Sequence, residues 1–230
     1  MANLEILENR IEYSFKDKEL LKKALTHSSY ASENGIKYED NNERLEFIGD
    51  GFIDAIVGNK LFELKHSAHE GELSRDRADV VCESSLADIA REINLGDYLL
   101  LGKGESSNGG KDKDSILSDA FEALIGAIIS DGGYEAGEKV VLKLLNQKIE
   151  LSLSGKLNKD FKSQLQEKLQ EKYKSIKINY ILKSESGPDH DKTFNVEVVL
   201  FDKVMGSGSG KSKAKAEQAA AEDVLTKGEF

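Results

Sequence analysis

Apolar residues at Leu45, Ile48, Phe52, Ile56 and Val57 recur at nearly helical spacing, which predicts one helix from about residue 43 into Leu64. A second run, Ile116 to Ile129, is apolar on every side apart from Ser118, Asp119 and Glu122. A helix of that kind belongs in a core. Shorter stripes predict helices over 4–10 and 18–26, a long one from Arg75 to Ile93 capped by Ser74, and another from Ala136 to Leu151. Asp131-Gly132-Gly133 supplies a stop for the apolar helix. Residues 31–40 read as a polar loop and the glycine-rich stretch 102–110 as a flexible one, without the spacing of a P-loop.

The pattern changes after Ser152-Leu153-Ser154-Gly155, a short polar stretch of the kind that links domains. Asp160 to Tyr173 reads as a helix with Asp160 as its cap and Phe161, Leu165 and Leu169 on one face. Alternation over Ile176–Lys183 and Thr193–Phe201 predicts two strands, Val204 to Gly208 a third, and Ser212 to Leu225 a closing helix. The expected fold class is therefore two domains: an all-α domain over 1–151, a linker over 152–159, and an α+β domain of order α-β-β-β-α over 160–230.

Glu43, Glu46 and Asp50 are three and four residues apart, hence on one helical face, where like charges repel. Asp119 and Glu122 lie in the apolar helix, and a buried carboxylate needs a partner that no Lys or Arg of that run provides. A divalent cation with oxygen ligands would satisfy both sets. The competing reading is a solvated acidic face, as most charge runs are.

Asn42-Glu43-Arg44-Leu45-Glu46-Phe47-Ile48-Gly49-Asp50 resembles the signature of bacterial ribonuclease III, an endonuclease of double-stranded RNA. Ser115 to Gly126 is similar to that family's other catalytic segment, and the C-terminal half resembles its double-stranded RNA-binding domain. The resemblance implies Glu46, Asp119 and Glu122 as metal ligands and Asp50 and Glu122 as catalytic acids. Glu43 and Glu70 follow as outer metal or catalytic support, Glu70 standing on a surface loop. It also implies Mg²⁺, with Mn²⁺ an acceptable substitute, polarising the phosphoryl group and activating a water, to leave 5′-phosphate and 3′-hydroxyl ends. Two facing sites require a homodimer, with Phe47 resembling the interface aromatic; its alternative is a plain core residue. Processing of ribosomal RNA precursors and of messages, in the cytoplasm, is the implied role. Leu25-Thr26-His27-Ser28-Ser29-Tyr30 is also similar to a family segment, but its residues suggest capping and a turn, and His27 reads as structural.

Charge refines this picture. The 230 residues carry a net −10, but residues 1–155 hold 18 basic and 30 acidic side chains and residues 156–230 hold 14 lysines and 12 acids. The halves are thus about −12 and +2, so phosphate contacts belong to the second half. No segment has the length and apolarity of a membrane span, and one cysteine, Cys82, builds neither an internal disulfide nor a thiolate zinc site. His66 and His69 do not make a persuasive metal pair, and no small-molecule cofactor is indicated. Lys211, Ser212, Lys213 and Lys215 gather at the start of the last helix, where phosphates are favoured. Pro188 and His190 occupy a turn resembling the family's groove-entering loop, and Gln164 and Glu167 suit 2′-hydroxyls.

Two departures from the family pattern stand out. Ser212-Lys213-Ala214-Lys215 replaces a usual Ser-Lys-Lys, which predicts weaker and more salt-dependent RNA affinity. Gly51 stands where a serine or alanine is commoner, at a cost of about 0.5–1 kcal/mol in helix stability. Two other function classes remain open at this point: a non-catalytic RNA-binding protein on the same scaffold, and a protein-interaction scaffold with a solvated acidic face.

Overall fold

A computed structural model describes residues 3–155, 157, 161–174, 176–187 and 192–228. The chain divides into two compact units, Met1–Asn158 and Lys159–Phe230. The first contains helices α1 (Leu4–Ile11), α2 (Lys18–Ala24), α3 (Ser28–Glu33), α4 (Glu43–Leu64), α5 (Glu70–Val81), α6 (Glu83–Glu92), α7 (Lys103–Ser107), α8 (Asp114–Gly132) and α9 (Tyr134–Leu153). Short polar caps start the first two: Asn3 accepts from the Glu5 N–H and Asp17 from the Glu19 N–H.

The all-round apolarity of α8 has its expected consequence, with eleven of its nineteen residues buried. Helices α2, α4, α6 and α9 pack around it, and Phe121, Leu124, Ile125 and Ile128 are inaccessible to solvent. Gly133 ends the helix at φ +83, with its N–H donating to the Ile129 carbonyl. Nearby, Asp131 accepts from the Tyr13 hydroxyl at 2.6 Å and from the Lys16 and Asp17 amides at 2.8 and 2.9 Å. Those bonds tie the chain entering α2 to the far end of α8, and they hold the Asp131 carboxyl below its usual range against the opposing effect of burial.

Five expectations need correction. The helix expected over Arg75–Ile93 is two, broken at Cys82 in an extended conformation (φ −65, ψ 155). Helix α5 packs on α4 and α9 whereas α6 lays Leu86, Ile89 and Ala90 against α8, and one straight rod would not serve both. The first of the two starts at Glu70, so Ser74 lies inside it rather than capping it, and Glu70 is on a helix rather than a loop. Residues 31–40 hold the end of α3 and a 3-10 turn, Tyr38–Asp40. The glycine-rich stretch is α7 followed by a second turn, Gly110–Asp112. Its start is pinned: Ser29 Oγ accepts from the Gly102 N–H and Glu33 from the Lys103 N–H, both at 2.9 Å.

In the second unit, β1 (Asn179–Ser186), β2 (Thr193–Leu200) and β3 (Lys203–Gly210) form an antiparallel sheet of order β1-β2-β3. Helices α10 (Phe161–Tyr173) and α11 (Lys213–Lys227) supply Leu165, Leu169, Ala216, Ala220 and Val224 to a core completed by Val196, Val198 and Leu200. β1 begins three residues later than the alternation predicts. Ile176 and Ile178 pack on the core before the ladder starts, and an irregularity between Leu182 and Ser184 breaks the alternation. Three glycines of β3 face α11: a Cβ on Gly208 would lie 2.2 Å from the Ala220 nitrogen, and on Gly210 2.6 Å from the Ala216 nitrogen. The glycine-serine repeat is therefore a seat for a helix. The cap assigned to Asp160 lies outside the described residues.

Candidate metal centre and nucleic-acid surface

Helices α4 and α8 cross with their backbones in contact. A Cβ built on Gly49 would fall 1.8 Å from the carbonyl oxygen of Glu122, and one on Gly126 would fall 2.0 Å from that of Leu45. Only glycine permits this at either position. The acids sit around the crossing: Glu46 and Asp50 are three residues before and one after Gly49, and Glu122 is one turn before Gly126. The crossing therefore decides how far apart the carboxylates stand. Sequence reading missed both glycines; glycine inside two strongly apolar helices was the available signal, though α4 also holds Gly51 and Gly58 and pattern alone does not single out Gly49.

The outcome is a cluster. One carboxylate oxygen from each of Glu46, Asp119 and Glu122 lies within 4.8 Å of the others. All three side chains are partly buried, and among the described residues no Lys or Arg pairs with them. Burial pushes Glu122 up to about 8, helped by the charges of Asp50, Asp119 and Glu46. Glu46 rises to about 6, again through burial first and then the charges of Asp119, Glu43 and Asp50. Asp119 is raised by burial, opposed by the Ser118 hydroxyl at 3.4 Å and by the imidazole of His27. Carboxylates in that condition have lost water without gaining a partner, which is the state a hard cation relieves.

The remaining acids lie at differing distances from this centre. Asp50 is exposed one turn along α4, outside the converging trio, and acts through its charge on Glu46 and Glu122. Glu43 hydrogen-bonds the Tyr38 phenol, raising its pKa, and adds its charge to Glu46. Glu70 does not join them: it is exposed at the start of α5, accepts from Ser74 Oγ at 2.9 Å, and is absent from the charges that shift the cluster. Phe47 is 79% exposed, so it is not a core residue, and Ile48 beside it is 39% exposed.

In the second unit, Gln164 and Glu167 are exposed on α10, opposite the buried Leu165 and Leu169. Ser212 caps α11, its Oγ accepting from the Lys215 N–H at 3.2 Å. Lys211, Lys213 and Lys215 are exposed around that end, and the Lys213 ammonium lies 6.0 Å from the Phe194 ring centroid. Pro188 and His190 lie outside the described residues.

Comparison with known proteins agrees with this geometry. Residues 17–149 match the family model described as ribonuclease-III-like. The chain is 49% identical over 97% of its length to the "Ribonuclease 3" of Caldanaerobacter subterraneus subsp. tengcongensis, 97% of which is covered. The chain belongs to the ribonuclease III family. Residues 161–227 match the double-stranded RNA binding motif, so the second unit of this ribonuclease III is a double-stranded RNA-binding domain. The "Ribonuclease 3" of Borreliella afzelii is 48% identical, over 96% of this chain and 89% of its own. Among solved structures, the nuclease domain of the Campylobacter jejuni ribonuclease III superposes with a TM-score of 0.59 at 48% identity, covering 64% of this chain and 96% of that one. A second structure of that domain is described as showing structural flexibility in a region involved in its dimer formation. Among the described residues no helix is long and apolar enough to cross a membrane.

Proposed function

We propose that the chain hydrolyses phosphodiester bonds of double-stranded RNA with Mg²⁺, as a homodimer, leaving 5′-phosphate and 3′-hydroxyl ends. The nuclease domain spans 1–151, the linker 152–159 and the RNA-binding domain 160–230. The observation that carries the reading is the convergence of Glu46, Asp119 and Glu122, partly buried and without a cationic partner among the described residues. An all-oxygen donor set fits Mg²⁺, with Mn²⁺ an acceptable substitute. When bound, the ion supplies Lewis-acid polarisation of the scissile phosphoryl group and activation of the attacking water.

Glu46, Asp119 and Glu122 would hold that ion. Without it, Glu122 keeps its proton at neutral pH, since its pKa stands near 8. Asp50, solvent-exposed beside the trio, is placed to take a proton from an approaching water. Glu43 gives outer support, and Glu70 acts only if a partner protomer brings it to a site. Phe47 and Ile48 give the exposed apolar surface on the same helix as the acids, which suits a two-fold contact between copies. Lys211, Ser212, Lys213 and Lys215 contact phosphates, Gln164 and Glu167 the 2′-hydroxyls, and Pro188 and His190 the groove. The implied setting is cytoplasmic, with ribosomal RNA precursors and messages as targets.

The test is one end-labelled RNA duplex incubated with Mg²⁺, with chelator, and with Glu122→Gln plus Mg²⁺. Cutting is expected only in the first arm, and the variant should lose about 10³-fold or more in rate while still shifting the duplex in a gel. Binding without cutting in all three arms would make this a non-catalytic RNA-binding protein.

A further inference from the structure

The mechanism above leaves His27 without a task, yet its ring is fixed beside the acids. Thr26 carries the segment onto the head of α4: its carbonyl accepts from the Asn42 N–H at 2.9 Å, and Asn42 in turn begins the turn holding Glu43 and Glu46. On the other side, the His27 N–H donates to the Leu100 carbonyl at 3.1 Å. The imidazole therefore stands at the end of α4 where the acids begin, within electrostatic reach of both Asp119 and Glu105.

The tautomer follows from the hydrogen bonds. Ser29 Oγ accepts from the Gly102 N–H at 2.9 Å and lies 2.8 Å from His27 Nδ1, with its own proton free to turn toward that nitrogen. The Ser29 N–H donates to Nδ1, at 3.2 Å. The backbone bond makes Nδ1 an acceptor, so the neutral ring carries its proton on Nε2. Nε2 has no hydrogen-bond partner among the described residues. A cap needs one acceptor, which serine, asparagine or aspartate provides without a second nitrogen. The second nitrogen is what remains to be explained.

We infer that His27 is a strand-positioning residue, its Nε2–H donating to a phosphate oxygen of the RNA strand lying over the acid cluster. The inference rests on the function proposed above. A polyanion approaching four carboxylates needs donors as well as an ion, and the nearby Lys113 is engaged with Glu105. Imidazole suits the task because its neutral form still donates, with a direction set by the Gly102–Ser29–His27 chain.

Two substitutions separate the cap from the donor. His27→Asn keeps an oxygen where Nδ1 accepts, but offers nothing at the position of Nε2. His27→Gln places an amide nitrogen near Nε2 and gives up the cap. The measurements are single-turnover cleavage of a short duplex in Mg²⁺, duplex affinity in chelator, and the melting temperature. For His27→Asn, a melting temperature within about 2 °C of wild type, duplex affinity within about twofold and a rate lowered about tenfold to a hundredfold are expected. For His27→Gln, a melting temperature lower by about 2–4 °C and a rate within about threefold of wild type are expected.

A purely structural histidine gives the reverse order, with rates following melting temperatures, and that result overturns the inference. So does wild-type cutting by His27→Asn, or recovery of its rate on raising Mg²⁺, which would mean that the ring acts on Asp119. Wild-type protein that binds duplex but never cuts it overturns the proposed function itself, and this inference with it.

Discussion

Both units lay a helix directly on neighbouring backbone through glycine, and they put that closeness to opposite uses. Between α4 and α8, Gly49 and Gly126 let two helices that carry acids meet, so Glu46, Asp119 and Glu122 are drawn together and out of water. Between β3 and α11, Gly206, Gly208 and Gly210 seat a helix whose lysine-rich start stays in solvent. The first arrangement stores like-charge repulsion in a low-dielectric crossing, where small displacements change coordination. The second presents ammonium groups to water, where each acts nearly independently and salt screens it. Substitutions at the crossing should therefore act as a switch, and those at the helix end as a dial.

The sharpest break of that contrast is a methyl group at each crossing. Gly49→Ala puts a carbon where the Glu122 carbonyl lies 1.8 Å away, so the helices must part and the oxygens with them. Cleavage should fall more than a hundredfold, with about 1–3 kcal/mol or more lost from the nuclease unit in a denaturant melt, while duplex binding in a gel survives. Gly208→Ala, 2.2 Å from the Ala220 nitrogen, should invert the pattern. Duplex affinity drops, yet the acid cluster keeps its metal-dependent melting shift. If both variants lose both properties together, the two crossings are not separate devices.

Next in size is the pH dependence that the crowded acids impose. The folded pKa of Glu122 is raised to about 8 and that of Glu46 to about 6, each from 4.5. For a carboxyl raised in the native state, the stabilising contribution is complete below the unfolded value and is lost as pH rises through the folded one. Metal-free protein should thus become less stable from about pH 4.5 to 8 at this site. Glu122→Gln removes much of that slope, and near pH 8 should raise the melting temperature by about 3–6 °C, equivalent to about 1–2 kcal/mol after allowance for solvent screening. Mg²⁺ competes with the same protons, so its half-saturating concentration should rise about tenfold or more from pH 8 to pH 6, read by calorimetry. A flat melting profile in chelator would remove the repulsion from the argument.

The two regions also differ in how readily sequence revealed them. The acids at 43, 46, 50, 119 and 122 were legible because carboxylates in apolar helices conflict with burial unless something joins them. The lysines around 211–215 were legible because charge at a helix start has a direct meaning. The break at Cys82 was not, since no glycine or proline marks it and the cause is α6 reaching for α8 while α5 stays on α4. Helix α7 hid behind its glycines because its anchors, Ser29 and Glu33, are about seventy residues away. Glu70 and Phe47 took meaning only with coordinates: one starts α5, outside the cluster and bonded to Ser74 on its own helix, and the other is left in solvent on α4. Local pattern carried the elements, and long-range contact decided where they stopped.

The helix end should respond in smaller, additive steps. Lys213→Ala and Lys215→Ala are each expected to weaken duplex binding about threefold to tenfold near 0.1 M salt and to lower the slope of log affinity against log salt by about 0.7–0.9. The double variant should show the sum. Ala214 is exposed on the same turn, so Ala214→Lys should move both quantities the other way by a similar amount. Cleavage at saturating duplex should not change in any of them. A variant that alters the saturated rate would show that the helix end positions the scissile bond as well as holding the duplex.

The smallest expected effect lies two residues from the largest. Gly51 and Gly49 share α4, the same residue type and the same helical backbone. A Cβ on Gly51 meets nothing within 4 Å, because that side of the helix is solvent. Its glycine therefore contributes no close approach, and it retains the cost of ordering a flexible residue in a helix. Gly51→Ala should stabilise the nuclease unit by about 0.5–1 kcal/mol, a rise of about 1–4 °C in melting temperature, with cleavage unchanged within about twofold. The pair Gly49→Ala and Gly51→Ala then isolates what the crossing demands, since propensity favours alanine at both positions and only contact with the Glu122 carbonyl distinguishes them. Destabilisation by Gly51→Ala would mean that this face of α4 is covered in the working enzyme, and the contact between copies proposed along the same helix near Phe47 is the first place to look for what covers it.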